Sequence, residues 1–250
     1  MHDTIIQKLK DIEDTHQVRI LHAVESGSRA WGFSAPDSDF DVRFIYVRNP
    51  ECYMRLEKTR DVIEWQLDKT LDINGWDLQK TLRLLHKSNP TLFEWANAPI
   101  VYRTTPEWDD VAAVLPDYFL SKHGLYHYLS MATGNYRAYL RADVVKVKKY
   151  LYVLRPILAC QWILARKTPP PVLFSELIKA EADPILLPEI QRLLAIKVTA
   201  SEHERIPRIE PLNEFIEKIL PHLKSVIAAL PKSRQNSWDE LNKLFLRIVQ

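Results

Sequence analysis

The chain has 250 residues, 46% of them hydrophobic and 26% charged, with 34 lysines and arginines against 32 aspartates and glutamates. That balance excludes wholesale disorder, and a net charge of +2 excludes a uniformly basic nucleic-acid coat, leaving room only for a local basic groove. Two cysteines, Cys52 and Cys160, are too few for a disulfide framework or a four-cysteine zinc site.

Residues 4–18 predict a first helix, because Ile5, Ile6, Leu9 and Ile12 recur at helical spacing. The residues before it, Met1-His2-Asp3-Thr4, carry no signal-peptide pattern. Val18 to Val24 alternates as a strand, and Ser26 to Ser38 reads as a loop. A second strand follows, with Phe40, Val42, Phe44 and Tyr46 alternating with Asp39, Asp41, Arg43 and Ile45. Segments 61–67 and 69–74 are further strand candidates. Gly75 then opens a helix carrying Leu78, Leu82 and Leu85, which stops near Ser88-Asn89-Pro90. From Pro106 the pattern turns helical, over 106–115, 117–141, 143–166, 174–181, 186–198, 212–229 and 237–248. Pro169-Pro170-Pro171, Pro184, Pro207, Pro211 and Pro231 mark the breaks. The most apolar region, Tyr150 to Ala165, is interrupted by Arg155, Pro156 and Gln161, so no membrane span is expected and the cytoplasm is the default location. The expected organisation is an α+β domain over 1–105 and an all-helical domain over 106–250.

Glycine is scarce, at five residues in 250, or about 2% against an ordinary 7%. Two of the five, Gly27 and Gly32, share the loop Gly27-Ser28-Arg29-Ala30-Trp31-Gly32-Phe33-Ser34. Their spacing fits a P-loop, but Phe33 stands where the phosphate-binding lysine is required, which excludes that motif. A different chemistry fits. Asp39 and Asp41, two apart in a strand, point to the same side, roughly 6–7 Å apart. Such a pair is tolerated when a divalent cation lies between the carboxylates, and oxygen-only ligands suit Mg²⁺ or Mn²⁺. Gly27 lets backbone approach a phosphate and Ser28 adds a hydroxyl and an amide, so the unit can hold a triphosphate and its metal. The competing reading is a polar turn at Asp37 to Asp39, with Asp41 on a solvated face.

Gly27-Ser28 followed by Asp39-Phe40-Asp41 resembles the signature of the DNA polymerase β nucleotidyltransferase superfamily. The longer runs Gly27 to Phe33 and Pro36 to Arg43 are similar to one branch of it, the bacterial RlaP family tied to RNA repair. Gly75-Trp76-Asp77-Leu78, Lys87-Ser88-Asn89-Pro90 and Lys148 to Pro156 look like the same branch. The resemblance covers roughly residues 20–180. It implies a polymerase β-type palm followed by a helical domain. It also implies two metal ions held by Asp39 and Asp41, and a third carboxylate acting as general base on an acceptor hydroxyl. Candidates for that third acid are Glu64, Asp68, Asp72 and Asp77. Asp72, between Leu71 and Ile73, fits a strand end facing the pair, whereas Asp77 suits the first turn of a helix.

In helix 143–166, Val147, Leu151, Leu154 and Leu158 form a core face, with Lys148, Tyr152 and Arg155 on a stripe beside it and Lys149 nearly opposite. Cations flanking an aromatic ring can hold a triphosphate and stack on a base. Alternatively, the same residues form a solvated face whose stems cover apolar surface. Arg137, Arg141 and Lys146 extend the basic run. His123 and His127 lack a third ligand and read as structural. The expected activity is transfer of a nucleoside monophosphate from an NTP to an acceptor hydroxyl, an RNA 3′ end by the resemblance. Gly27 and Ser28 would bind the β- and γ-phosphates, and the catalytic set is Asp39, Asp41 and Asp72. A protein or small-molecule acceptor, or a non-catalytic nucleotide-binding regulator, are the rival readings. No feature of the sequence fixes an oligomeric state.

Overall fold

A computed structural model describes residues 1–66, 70–199, 204–231 and 236–250. In chain order the elements begin with α1 (His2–His16), β1 (Val18–Glu25), the single turn α2 (Gly27–Ala30), β2 (Phe40–Arg48), the single turn α3 (Pro50–Tyr53), β3 (Val62–Gln66) and β4 (Leu71–Asp77). They continue with α4 (Leu78–His86), α5 (Pro90–Ala96), β5 (Val101–Thr104) and α6 (Pro106–Val114), which runs into a 3-10 turn at Leu115–Tyr118. Then come α7 (Ser121–Tyr139), β6 (Val144–Lys146), α8 (Val147–Arg166), α9 (Phe174–Glu181), α10 (Leu187–Thr199), β7 (Arg205–Pro207), α11 (Glu210–Ala229) and α12 (Asp239–Val249). The class is α+β. Among the described residues no helix is long and apolar enough to cross a membrane.

The chain divides into two units. One comprises Met1–Ala30, Asp39–Phe119 and residues 236–250; the other comprises Trp31–Ser38 and the described residues from Leu120 to 231. The expected cut after residue 105 falls inside the first unit, which continues through α6 and recovers α12 from the far end of the chain. Helix α12 belongs there because Leu241, Leu244 and Ile248 join a core with Leu82, Leu85, Trp108 and Val111.

The first unit is built on a five-stranded mixed sheet in the order β3-β4-β2-β1-β5. Strands β2 and β4 are parallel and the other neighbours antiparallel. Helix α1 covers one face through Ile5, Leu9 and Ile12, against Val42, Phe44, Tyr46 and Ile73. Each such aliphatic side chain contributes about 1.5–3 kcal/mol on full burial. Helices α4, α5, α6 and α12 cover the other face, meeting Leu21, Ile45 and Val47. Gln17, in the left-handed conformation, stops α1. Ser88-Asn89-Pro90 is a start as well as a stop: Asn89 caps α5 by accepting from the Thr91 amide at 3.0 Å, with Pro90 at its first position.

Gly75 does not open a helix. It lies inside β4, paired with Phe44 of β2. A Cβ at Gly75 would overlap the Phe44 ring, so glycine is there to admit a buried aromatic ring from the neighbouring strand. The helix begins three residues later, at Leu78, capped by the Asp77 carboxylate.

Among its described residues the second unit is helical apart from turns and a short antiparallel ladder, β6 with β7. The expected helix start at 143 is therefore displaced to Val147. The β-branched pair Val144 and Val145 is drawn into pairing with residues about 60 positions away, which local periodicity does not register. Helix α8 is buried almost all round: beyond Val147, Leu151, Leu154 and Leu158, also Tyr150, Val153, Arg155, Ile157 and Cys160 are inside.

Candidate active site

Strand alternation sets the site. On β2, Val42, Phe44 and Tyr46 belong to the α1-side core, while Ile45 and Val47 belong to the opposite one. Asp41 and Arg43 therefore share the face of Ile45 and Val47. On β4, Leu71 and Ile73 belong to the α1 side, which turns Asp72 to the same face as Asp41. Asp41 and Asp72 are direct partners in the parallel register, on strands about 4.8 Å apart. Asp39 sits one residue ahead of β2, with an exposed side chain.

Two residues that sequence reasoning passed over fix the start of β2. Glu25, at the end of β1, is fully buried, and its Oε1 accepts the Asp41 amide at 2.8 Å while Oε2 accepts the Tyr102 hydroxyl. The Ser26 amide donates to the Asp41 carbonyl at 2.8 Å. The chain then turns through Gly27, at φ +62, into α2, where Ser28 is buried. Across this turn, Arg29 donates from Nε to the Asp39 carbonyl at 3.0 Å and lays its guanidinium 3.7 Å over the Phe40 ring. An acid ending a strand whose other residues from Ile20 on are Leu21, Ala23 and Val24, with His22 among them, is the one sequence signal that could have singled out Glu25.

The positive φ of Gly27 excludes most side chains, and an added Cβ would overlap Asp41 Oδ2. Gly27→Ala is therefore expected to lower stability by about 1–3 kcal/mol and to displace the Asp41 carboxylate. A thermal melt together with a turnover assay checks this; wild-type values in both would show that the close approach is not needed.

Arg43 is the centre of the cluster. Its Nη2 donates to Asp41 Oδ1 and to Asp72 Oδ2, each at 2.9 Å. Its Nη1 donates to the carbonyls of Val42 at 3.0 Å and Asp72 at 3.2 Å. Burial pushes the Asp41 carboxyl above the usual range; Arg43 opposes that, and the charges of Asp72 and Asp39 reinforce it. Glu25 is raised as well, chiefly by burial, against the hydrogen bonds from Tyr102 and the Asp41 amide.

The other candidates for a third acid lie elsewhere. Glu64, on β3, pairs with Asn74, two residues along from Asp72 and one strand further from Asp41. Its carboxylate is exposed and bound by Arg60. Asp77 is at the far end of β4, buried, accepting from the Gln79 amide at 2.7 Å and the Tyr53 hydroxyl at 3.0 Å. It is a helix cap. Asp68 lies outside the described residues.

The expected nucleotide contacts of the basic helix belong to the second unit. Lys148, Lys149 and Tyr152 are half-buried near the start of α8, and the Lys149 ammonium lies 3.7 Å over the Tyr139 ring. Arg155 does not lie on an exposed stripe: it is 1% exposed, and its Nη2 donates to the Val172 carbonyl at 3.2 Å. Its guanidinium lies 4.5 Å from the Trp31 ring, which meets Tyr152 edge-on at 5.5 Å. Arg155 and Tyr152 thus hold Trp31, whose carbonyl accepts the Phe174 amide at 2.9 Å. His123 and His127 both lie on α7, His127 edge-on to Tyr128.

Among the described residues no group of three His, Cys, Asp or Glu side chains is arranged to hold a metal ion. Two carboxylates do converge on one positive charge, the Arg43 guanidinium, with the field of Asp39 added. An all-carboxylate donor set of this kind fits a hard divalent cation.

The sequence profile of the RNA repair pathway DNA polymerase beta family matches residues 1–247. The uncharacterized protein YcgL of Bacillus subtilis (strain 168) is 44% identical over 254 residues, covering 100% of this chain and 97% of that protein. A crystal structure of a nucleotidyltransferase-like protein from Exiguobacterium sibiricum aligns with 98% of this chain and 79% of its own, at 14% identity and a TM-score of 0.32.

Proposed function

The chain belongs to the RNA repair pathway DNA polymerase beta family, and from that premise we propose that it transfers a nucleoside monophosphate from an NTP to the 3′ hydroxyl of an RNA. The observation that carries the reading is the convergence of Asp41 and Asp72, in register on adjacent parallel strands, upon a single cation 2.9 Å from each. In the proposed reaction the acceptor oxygen attacks the α-phosphorus. The bond from that phosphorus to the β-phosphate's bridging oxygen breaks, and pyrophosphate leaves.

Each residue has a proposed part. Asp39, Asp41 and Asp72 would hold Mg²⁺ or Mn²⁺, two ions in all. When bound, the ions supply neutralisation of the triphosphate charge and a lowered pKa at the acceptor hydroxyl. Asp72, the more exposed partner of the pair, takes the acceptor's proton. Glu25 holds the Asp41 backbone in place, and Arg43 keeps Asp41 and Asp72 facing one another until the substrate arrives. The turn at Gly27 and Ser28 offers amides to the β- and γ-phosphates. Lys148, Lys149 and Tyr152 are proposed nucleotide-binding residues, and Arg155 acts through Trp31 as a positioning residue. Positioning and charge neutralisation carry most of the catalysis in phosphoryl-type transfer, which suits a site of this composition. The proposed setting is the cytoplasm.

The test offers α-labelled NTPs and Mg²⁺ with RNA carrying either a free or a phosphorylated 3′ end. Label is expected on the free-ended RNA only, with pyrophosphate released in equal amount. Label on protein or on small molecules instead would overturn the RNA acceptor while leaving nucleotidyl transfer in place; no label on any acceptor would overturn both.

A further inference from the structure

The second unit contains a groove of about 650 Å³ along the packed helices α7 and α11. Its apolar lining is made by the buried Leu129 and Leu220 and the exposed Pro221. Its rim carries four cations, Arg137, Arg141, Arg208 and Lys224, against one carboxylate, Glu217. That carboxylate is already engaged: it accepts the Tyr136 hydroxyl and lies 3.7 Å from Arg208. Arg208 is further held by Glu210 at 3.1 Å. Arg137, Arg141 and Lys224 have no carboxylate partner among the described residues, and all three are exposed.

The cations are spread along the groove rather than gathered at one point. Thr133, Tyr136 and Arg137 follow Leu129 on one face of α7, while Glu217, Leu220, Pro221 and Lys224 line one face of α11. From Leu129 to Tyr139, the last residue of α7, is ten residues, about 15 Å along the helix axis, and Arg141 stands two residues beyond its end. Stacked nucleotides rise about 3.4 Å each and an unstacked strand is more extended, so the groove is long enough for more than one nucleotide in succession. A mononucleotide would engage the cations of one end only. A duplex would present its backbone and keep its bases away from an apolar lining, whereas unstacked bases of a single strand seek such a surface.

We propose that this groove binds single-stranded RNA, with Arg137, Arg141 and Lys224 on successive backbone phosphates and the bases against Leu220 and Pro221. The proposal rests on the reading of the acceptor as RNA and supplies that acceptor with a seat. It assigns a role to Arg137 and Arg141 that does not involve the triphosphate.

The test measures fluorescence anisotropy of a 5′-labelled single-stranded ten-nucleotide RNA with the full chain, in EDTA and without NTP, between 50 and 200 mM salt. The Arg137→Gln/Arg141→Gln double variant and Lys224→Gln are each expected to weaken binding about fivefold or more. The slope of log affinity against log salt should become shallower by about 0.7 for each phosphate that the variant no longer neutralises. Thr133→Trp fills the groove without changing charge and is expected to weaken binding as well. Arg192→Gln, on α10 and paired with Glu189, is the charge-matched control and should stay within about twofold of wild type.

The proposal is overturned if the groove variants bind like wild type, if Arg192→Gln weakens binding equally, or if the wild type binds no RNA. It is also overturned if ATP alone displaces the RNA at equal concentration, which would make the groove a mononucleotide site. A polyglutamate peptide that binds as tightly, with the same dependence on the three cations, would assign the groove to an acidic protein partner and overturn it too. Failure here, with label still entering free-ended RNA, leaves the nucleotidyl-transfer reading standing. Groove-dependent RNA binding without any label transfer would do the reverse.

Discussion

Asp41→Asn is expected to lower nucleotidyl transfer by about a hundredfold or more and to raise the melting temperature of the metal-free protein. The first effect follows from removing the charge of the more buried of the two converging carboxylates, because a neutral amide oxygen can still ligate a hard cation but no longer neutralises it. The second follows from the raised pKa. Burial disfavours the ionised carboxylate, and Asp72 and Asp39 add repulsion that Arg43 only partly offsets. A carboxyl whose folded pKa lies above its unfolded value contributes stability that is fully present below the unfolded pKa and lost as pH rises through the folded one. At neutral pH the wild type has therefore lost that contribution, and asparagine removes the cost of the charge. The expected gain is about 2 °C, read by scanning fluorimetry in EDTA at pH 7.5. The gap should close as the pH falls through the raised pKa and the wild-type carboxyl protonates. Near wild-type turnover in Asp41→Asn would remove Asp41 from the metal site, and a lower melting temperature would mean that the ion pair with Arg43 outweighs the burial.

Asp72→Ala is expected to retain NTP affinity within about threefold and to lose transfer by a factor of about 10²–10⁴, as expected when a general base is deleted. Its carboxylate is the more exposed of the pair, at 52% against 32% for Asp41, and so is better placed to reach an acceptor from outside the protein. Asp72→Asn separates proton transfer from geometry, since the amide oxygen can still accept from Arg43. Equal losses in the two variants would assign the defect to the lost negative charge, as proton acceptor or as metal ligand. Recovery in Asp72→Asn would make Asp72 a positioning residue for Arg43. Glu64→Ala is the control and should remain close to wild type, because that carboxylate pairs with Arg60 at the surface. Full activity in Asp72→Ala, with loss in Glu64→Ala, would transfer the role to β3.

The face on which Asp41 and Asp72 each lie was legible in the chain because strand alternation is a local property. Phe40, Val42 and Phe44 on one side force Asp41 to the other, and Leu71 with Ile73 do the same for Asp72. What alternation cannot supply is which strands are neighbours. Arg43 shares a face with Asp41 by the same rule, yet its second partner depends on the parallel register of β2 with β4. Glu25 was missed for a related reason: its meaning comes from Tyr102 on β5, a four-residue strand that local periodicity did not register. The ladder of β6 with β7 was invisible because each strand has three residues and its partner is distant. The burial of Arg155 was not legible because α8 is buried on nearly every side, so charge no longer reports exposure. The amphipathic helix 237–248 was evident, but a stripe of leucines does not say which core it enters.

The contact of Gly75 with Phe44 makes one volume shared between two strands. Neither position is free to drift alone. A methyl group at 75 demands a smaller side chain at 44, and a missing ring at 44 leaves a void that only a larger residue at 75 can fill. Selection should therefore act on the pair as one character, with substitutions at the two sites arising together or not at all. Since Phe44 and Gly75 each stand three residues beyond Asp41 and Asp72 on the same two strands, this steric lock also ties the inheritance of the core to the spacing of the two carboxylates.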